Sequence, residues 1–211
     1  MRTNQARLTP TYEAAAQPLH VPLVQFFAPE TVEDIGTNFA AVPKVLVGGL
    51  LVAQMNRSET AEFMVRVALR RSRTTAPPLF TSANGEILSR CALSGRLAAI
   101  FQSADFVSAD GQPMVAATRL LSRNPLPERV ATTDLFHDIA HIANARGLSF
   151  AIYGASEEEN RLAVANVKTK YPKIRIVAHT HGYLDAAEQR RFVRKVSKAR
   201  ADILWVCLGV P

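Results

Sequence analysis

The apolar residues of this chain fall into short runs separated by polar, helix-forming stretches. Val45-Leu46-Val47, Leu50–Ala53, Leu79-Phe80-Thr81, Phe106–Ala109, Leu148–Tyr153, Ile174–Ala178 and Asp202–Leu208 each read as a buried strand bounded by turn residues. Between them, apolar positions recur three and four residues apart. That spacing predicts helices over Glu59–Arg71, Glu86–Gln102 (weakened by Gly95), Leu135–Arg146, Glu157–Lys170 and Ala186–Arg200, with a further helix opened by Pro113. Ser58 is the expected cap of the first of these, and Gly147 the expected stop of the helix ending at Arg146. Gly48-Gly49 reads as a hairpin turn. Elsewhere strand and helix alternate at βαβ length, which predicts an α/β fold with a mainly parallel sheet flanked by helices. Residues 1–43 read as an N-terminal extension and 44–211 as one domain. Within the extension, His20–Ala28 is apolar but interrupted by Pro22 and followed by Pro29.

Composition narrows the classes. With 48% hydrophobic residues the chain can build a core. Its net charge of +7 and pI near 9.8 suit an anionic partner such as nucleotide phosphate, nucleic acid or a membrane surface. Cys91 and Cys207 are far apart in apolar segments, so buried free thiols are expected rather than a disulfide framework or a metal site. No apolar run approaches the roughly 18 residues of a membrane span, and no secretory leader is expected at the N-terminus.

The candidate chemistry gathers at strand ends. In Ala104–Arg119 a strand closes on Asp110-Gly111 and gives way to a helix. A carboxylate there stands at the rim where α/β sheets hold their ligands. The plainer alternative is that Asp110 caps that helix. Ser82 and Asn84 end the preceding strand and would lie near Asp110 if the two strands pair; Asn84 could equally be a turn residue. Gly154, Gly182 and Gly209 end three later strands, where small residues admit a ligand and a following helix can hold phosphate. Glu157, Glu158 and Glu159 already suit that helix's dipole and would compete with an anion. His179 and His181 lack a third metal ligand, and His137 and His141 lack the HExxH pattern. Arg190, Arg191, Arg194, Lys195, Lys198 and Arg200 put a basic face on one helix. It is either a solvated face or a surface that leans on anionic lipid. With basic residues spread out and no clear aromatic platform among them, no nucleic-acid partner is expected.

Four segments, in order, resemble the WecG/TagA/CpsF glycosyltransferases (glycosyltransferase family 26). Thr81–Glu86 is similar to the family's T-x-N-x-E segment, with Ser82 in place of the threonine. Ala104–Gly111 is similar to its AD…DG segment. Glu128–Val130 with Asp134-Leu135 is similar to its RV-x-G-x-DL segment, Thr132 standing in place of the glycine. Phe150–Gly154, His181–Tyr183 and Asp202–Pro211 are similar to its later strand ends. The resemblance covers about residues 44–211.

It implies a Rossmann-like, inverting, metal-independent enzyme of bacterial surface-polysaccharide synthesis, with no cofactor. A sugar would pass from a nucleotide sugar, usually a UDP-sugar, to a polyprenyl-diphosphate-linked sugar at the inner face of the cytoplasmic membrane. Asp110 would be the general base. Ser82 would supply the catalytic hydroxyl, and Asn84, Arg129 and Gly111 would line the substrate pocket. Gly154 and Tyr183 would lie near the nucleotide side, and Gly209 would also bind substrate. The chain stops at Pro211, before the family's Lys-Gln-Glu segment, so a C-terminally incomplete domain of weak or no activity is expected. A nicotinamide-dependent oxidoreductase on the same kind of sheet is the alternative, although the GxGxxG fingerprint is absent. The sequence leaves a homo-oligomer open.

Overall fold

A computed structural model describes residues 36–70 and 76–209; the N-terminal apolar segment His20–Ala28 lies outside them. The chain runs β1 (Lys44–Val47), β2 (Leu50–Ala53), α1 (Arg57–Arg70), β3 (Phe80–Ala83), α2 (Gly85–Leu93), α3 (Gly95–Gln102), β4 (Phe106–Ala109) and α4 (Gln112–Leu121). It continues through α5 (Thr132–Arg146), β5 (Ser149–Gly154), α6 (Glu157–Lys170), β6 (Arg175–Thr180), α7 (Ala186–Ala199) and β7 (Ile203–Cys207). The expected α/β class holds. β1 and β2 form the antiparallel hairpin turned by Gly48-Gly49, both with positive φ. All other pairings among the described residues are parallel: β3 with β4, and β5 between β6 and β7.

Two expected helices differ for local reasons. The Glu86–Gln102 helix is broken into α2 and α3 at Ser94, whose hydroxyl accepts from Leu97 N at 3.3 Å. A side-chain acceptor followed by glycine starts a new helix more readily than it continues the old one. α1 begins ahead of Ser58, because Asn56 and Glu59 close a reciprocal cap. Glu59 N donates to Asn56 Oδ1 and Asn56 N to Glu59 Oε2, each at 2.8 Å. Gly147 ends α5 in the left-handed conformation, as expected.

Four apolar clusters fill the layers. One lies among β1, β2, β4 and helices α2–α4, around Val52, Val107 and Val115. A second packs α1 and α5 on β5 and β7 through Ala61, Ile139, Phe150 and Trp205. Phe63 stacks on Phe106 at 5.7 Å in a third, which also holds Phe39 and Val42, so packing extends just ahead of Lys44. The fourth seats Phe192 of α7 on Ala151 and Ala178. Neither cysteine is bonded. Cys91 is buried, but Cys207 is exposed, against expectation: β7 pairs only with β5 among the described residues, so its outer edge is uncovered.

Candidate functional site

The parallel pairing of β3 and β4 decides the site. Ala83 stands opposite Ala109, and Asp110 N donates to Ala83 O at 2.8 Å, so Ser82, Asn84 and Asp110 emerge together at the carboxyl ends of the two strands. Gly111 lets the chains close: a Cβ there would lie 3.2 Å from Asn84 Cα. Gly111, not Asp110, occupies the N-cap of α4, and no side chain caps that helix.

The Asp110 carboxylate instead serves α5. That helix starts after Ala131, which has no side chain to offer its orphan amides. Thr132 N donates to Asp110 Oδ2 at 3.2 Å, so the carboxylate caps α5 from a different element and sits at the positive end of its dipole. Thr132 Oγ1 lies 3.2 Å from Asp110 Oδ2 and 3.0 Å from Ser82 Oγ. On the other oxygen, Arg129 Nε donates to Asp110 Oδ1 at 3.3 Å. Asp110 keeps 23% of its side chain exposed and Arg129 51%, so the pair is reachable from solvent.

The loop carrying Arg129 is tied on both flanks. Val130 N donates to Ala109 O at 2.7 Å. Arg57 N, at the start of α1, donates to Glu128 Oε1 at 2.7 Å. The Arg57 guanidinium pairs with Asp138 at 2.5 Å and Asp134 at 3.4 Å on α5. These partners raise the Arg57 pKa and hold it charged.

Ser82, Asn84, Asp110, Thr132 and Gly209 line one cleft of about 790 Å³, between the outer edge of β3 and the outer edge of β7. That is the size of a small-molecule site. Asn84 has both expected roles: its Oδ1 accepts from Ile87 N at 3.0 Å as the cap of α2, and it borders the cleft. Gly209 has φ +76 with open space where a Cβ would be.

Gly111, Arg129, Gly154 and Tyr183 are not among the residues lining this cleft; Gly111 and Arg129 stand behind Asp110 at its rim. A Cβ on Gly154 would stand 2.1 Å from Cys207 O, so the missing side chain makes room for the neighbouring strand. Ala155 N donates to Cys207 O at 3.1 Å, and Gly182 N to Ala155 O at 2.9 Å, knotting the ends of β5, β6 and β7. The start of α6 beside them is closed by Ser156 and Glu159. Ser156 N donates to Glu159 Oε2 at 3.0 Å, and these bonds lower the Glu159 pKa. Tyr183 is 82% exposed in the loop after β6. His179 belongs to β6; its Nδ1 bonds Asn160 Oδ1 at 3.0 Å, and buried Asn160 donates to Gly154 O and Thr180 O. No group of three metal-binding side chains occurs among the described residues.

Thr132 is the site residue that the sequence reading missed. It registers there only as a departure from a pattern; its contact with Ser82 spans fifty positions of sequence.

Residues 45–211 match the model of the glycosyl transferase WecG/TagA/CpsF family. The chain belongs to that family. Two curated relatives carry the name N-acetylglucosaminyldiphosphoundecaprenol N-acetyl-beta-D-mannosaminyltransferase. One, from Bacillus spizizenii, is 31% identical over 130 residues, which is 62% of this chain and 49% of the relative. The other, from Bacillus subtilis, is 28% identical over 112 residues, 53% of this chain and 43% of the relative. The match to each therefore spans just under half of the relative's length. Among the segments that carry the family pattern, Ser82, Asp110 and Arg129–Thr132 are the ones drawn into a single hydrogen-bonded cluster.

Proposed function

We propose that this chain transfers a sugar from a nucleotide sugar, with a UDP-sugar as the first candidate, to a polyprenyl-diphosphate-linked sugar, and that Asp110 is the general base. Membership of the family and the acceptor in the two relatives' name support the reaction class. The observation that carries the assignment of the base is the Asp110 carboxylate. It stands at the rim of the cleft, is fixed from two sides by Thr132 and Arg129, and is partly open to solvent. An acceptor hydroxyl within hydrogen-bond reach would give its proton to Asp110 as its oxygen bonds to the anomeric carbon. The bond from that carbon to the diphosphate breaks, and the electron pair leaves on the nucleoside diphosphate. One displacement with one base inverts the anomeric centre. Arg129 adds positive charge at the same rim, where a donor or acceptor diphosphate could meet it.

N-acetylglucosaminyldiphosphoundecaprenol and an N-acetylmannosamine donor are the first substrates to try, at the inner face of the cytoplasmic membrane. Trp205, the one tryptophan of the chain, lines the same cleft, so nucleotide entry should alter its emission. The test is UDP release from a panel of UDP-sugars with a short-chain polyprenyl-diphosphate sugar, run on the chain and on Asp110→Asn. Release abolished by Asp110→Asn, with the Trp205 response to UDP kept, is the expected result. Equal release from both proteins removes Asp110 from the mechanism.

A further inference from the structure

Arg129 stands on no regular element. It belongs to the connection between α4 and α5, where Leu126 and Val130 are buried and Pro127, Glu128 and Arg129 between them are exposed. The two flanks are held: Leu126 N donates to Thr118 Oγ1 at 3.1 Å, and Val130 N to Ala109 O at 2.7 Å. Fixing a long, exposed side chain in one rotamer costs entropy, so its direction depends on how firmly the backbone beneath it is held. Glu128 holds that backbone from the neighbouring position. Its Oε1 accepts from Arg57 N at 2.7 Å, a short contact of the kind an ionised acceptor makes. Arg57 is the first residue of α1, and its amide is among those a helix leaves without an internal partner, at the positive end of the dipole. Asn56 and Glu59 beside it are engaged with each other, which leaves this amide to Glu128. The anchor is itself fixed, because the Arg57 guanidinium pairs with Asp134 and Asp138 on α5. α5 is also the helix whose first residue, Thr132, holds Asp110.

We propose that Glu128 is a positioning residue for the site: clamped to the start of α1, it holds Arg129 beside Asp110 and presents the Arg129 guanidinium to the diphosphate of the donor. This assignment rests on the proposed transfer from a nucleotide sugar. Two observations carry it. With its carboxylate engaged by Arg57, Glu128 is not the partner of the arginine next to it; the one ion pair of Arg129 among the described residues is with Asp110. That pair uses Nε, so the two terminal nitrogens of the fork are left for a phosphate. Glu128 and Thr132 thus set the two charged members of the site from one frame, the α1–α5 pair that Arg57 ties together.

The experiment follows two signals of the full chain. One is the Arg129 Nε–H peak in a nitrogen–proton correlation spectrum, assigned by its loss in Arg129→Lys. The other is affinity for UDP, read from Trp205 emission. Glu128→Ala, Glu128→Gln and Arg129→Ala are compared with Glu62→Ala, which removes an exposed carboxylate of α1 whose partner is Arg66. Glu128→Ala should speed exchange of the Arg129 Nε–H with water about tenfold and weaken UDP binding about fivefold, the scale of one hydrogen bond to a charged group. Its melting temperature should stay within a few degrees of wild type. Glu128→Gln keeps an acceptor for Arg57 N, so it and Glu62→Ala should stay within about twofold of wild type on both signals. Added to Arg129→Ala, Glu128→Ala should change UDP affinity less than about twofold, because a residue that acts through Arg129 has nothing left to act on. An unchanged Nε–H signal in Glu128→Ala, a Gln variant as impaired as the Ala variant, or additive losses in the double variant would overturn the proposal. UDP binding by none of the proteins would refute the donor of the transferase reading, and the Nε–H signal would still decide whether Glu128 positions Arg129.

Discussion

Thr132 Oγ1, at the first residue of α5, lies 3.0 Å from Ser82 Oγ on β3. The same Thr132 hydroxyl reaches Asp110 Oδ2 at 3.2 Å. A hydroxyl has one proton to give. With the carboxylate ionised, the order Ser82 to Thr132 to Asp110 satisfies every donor in the chain. In the proposed mechanism Thr132 positions Asp110, and Ser82 acts on Asp110 through it. Thr132→Val should lower kcat of sugar transfer about tenfold or more, the scale of a lost hydrogen bond to a charged group. The KM for donor should move less than twofold, and Thr132→Ser should restore most of the rate. Steady-state kinetics on the three proteins check this; a Val variant with wild-type kcat would remove Thr132 from the network.

Asp110 holds α5 as well as the proposed chemistry, and the two roles separate by substitution. Asp110→Asn keeps an oxygen for Thr132 N and loses the ion pair with Arg129 and the negative charge at the start of α5, each worth about 0–1 kcal/mol. Its melting temperature should stay within a few degrees of wild type while transfer is lost. Asp110→Ala removes the acceptor from α5 and should cost about 1 kcal/mol more. Thermal unfolding of both variants beside the transfer assay distinguishes capping from catalysis.

The glycines at strand ends should not be equivalent. Gly154→Ala drives a Cβ into Cys207 O and should destabilise the fold by roughly 3 kcal/mol or more, because backbone rather than a flexible side chain must move. Gly209→Ala meets open space and faces only its positive φ, a cost of about 1–2 kcal/mol. Urea midpoints of the two variants give the comparison directly. Equal midpoints would mean that the ends of β5 and β7 are not packed as described.

Acid should weaken the fold through His179. Its pKa is pushed down from 6.5 by burial and by Lys168 and Lys195. Well above pH 6.5 the ring is neutral in both states and contributes no pH dependence. As pH falls below 6.5, the unfolded chain takes up the proton first, so stability drops until the lowered folded value is reached. His179→Gln should flatten the slope of urea midpoint against pH between about 7 and 5.5, above the carboxylate range. An unchanged slope would mean that other groups carry it.

Much of the local architecture was written in neighbouring residues. The bounds of α6, the left-handed stop at Gly147, the Gly48-Gly49 hairpin and Pro113 near the start of α4 depend on side-chain spacing and on backbone conformations that only certain residues adopt. The strand order alternating with helices was enough to anticipate parallel pairing, and pairing β3 with β4 was enough to put Ser82, Asn84 and Asp110 together. The break at Ser94 was also local, a cap strong enough to divide one apolar stripe into two helices.

Other features were settled only when distant segments met. The cap on α5 comes from Asp110, twenty-two positions before the amide it serves, because Ala131 offers none. Thr132 found Ser82 across fifty positions. Gly154 proved to be spent on Cys207, fifty-three positions on, and Cys207 itself lies exposed because β7 has one described neighbour. Hydrophobic periodicity and caps act within one or two turns of chain, so a sequence carries them openly. A hydrogen bond between separate elements depends on where packing places their ends to within an ångström, and no single segment holds that information.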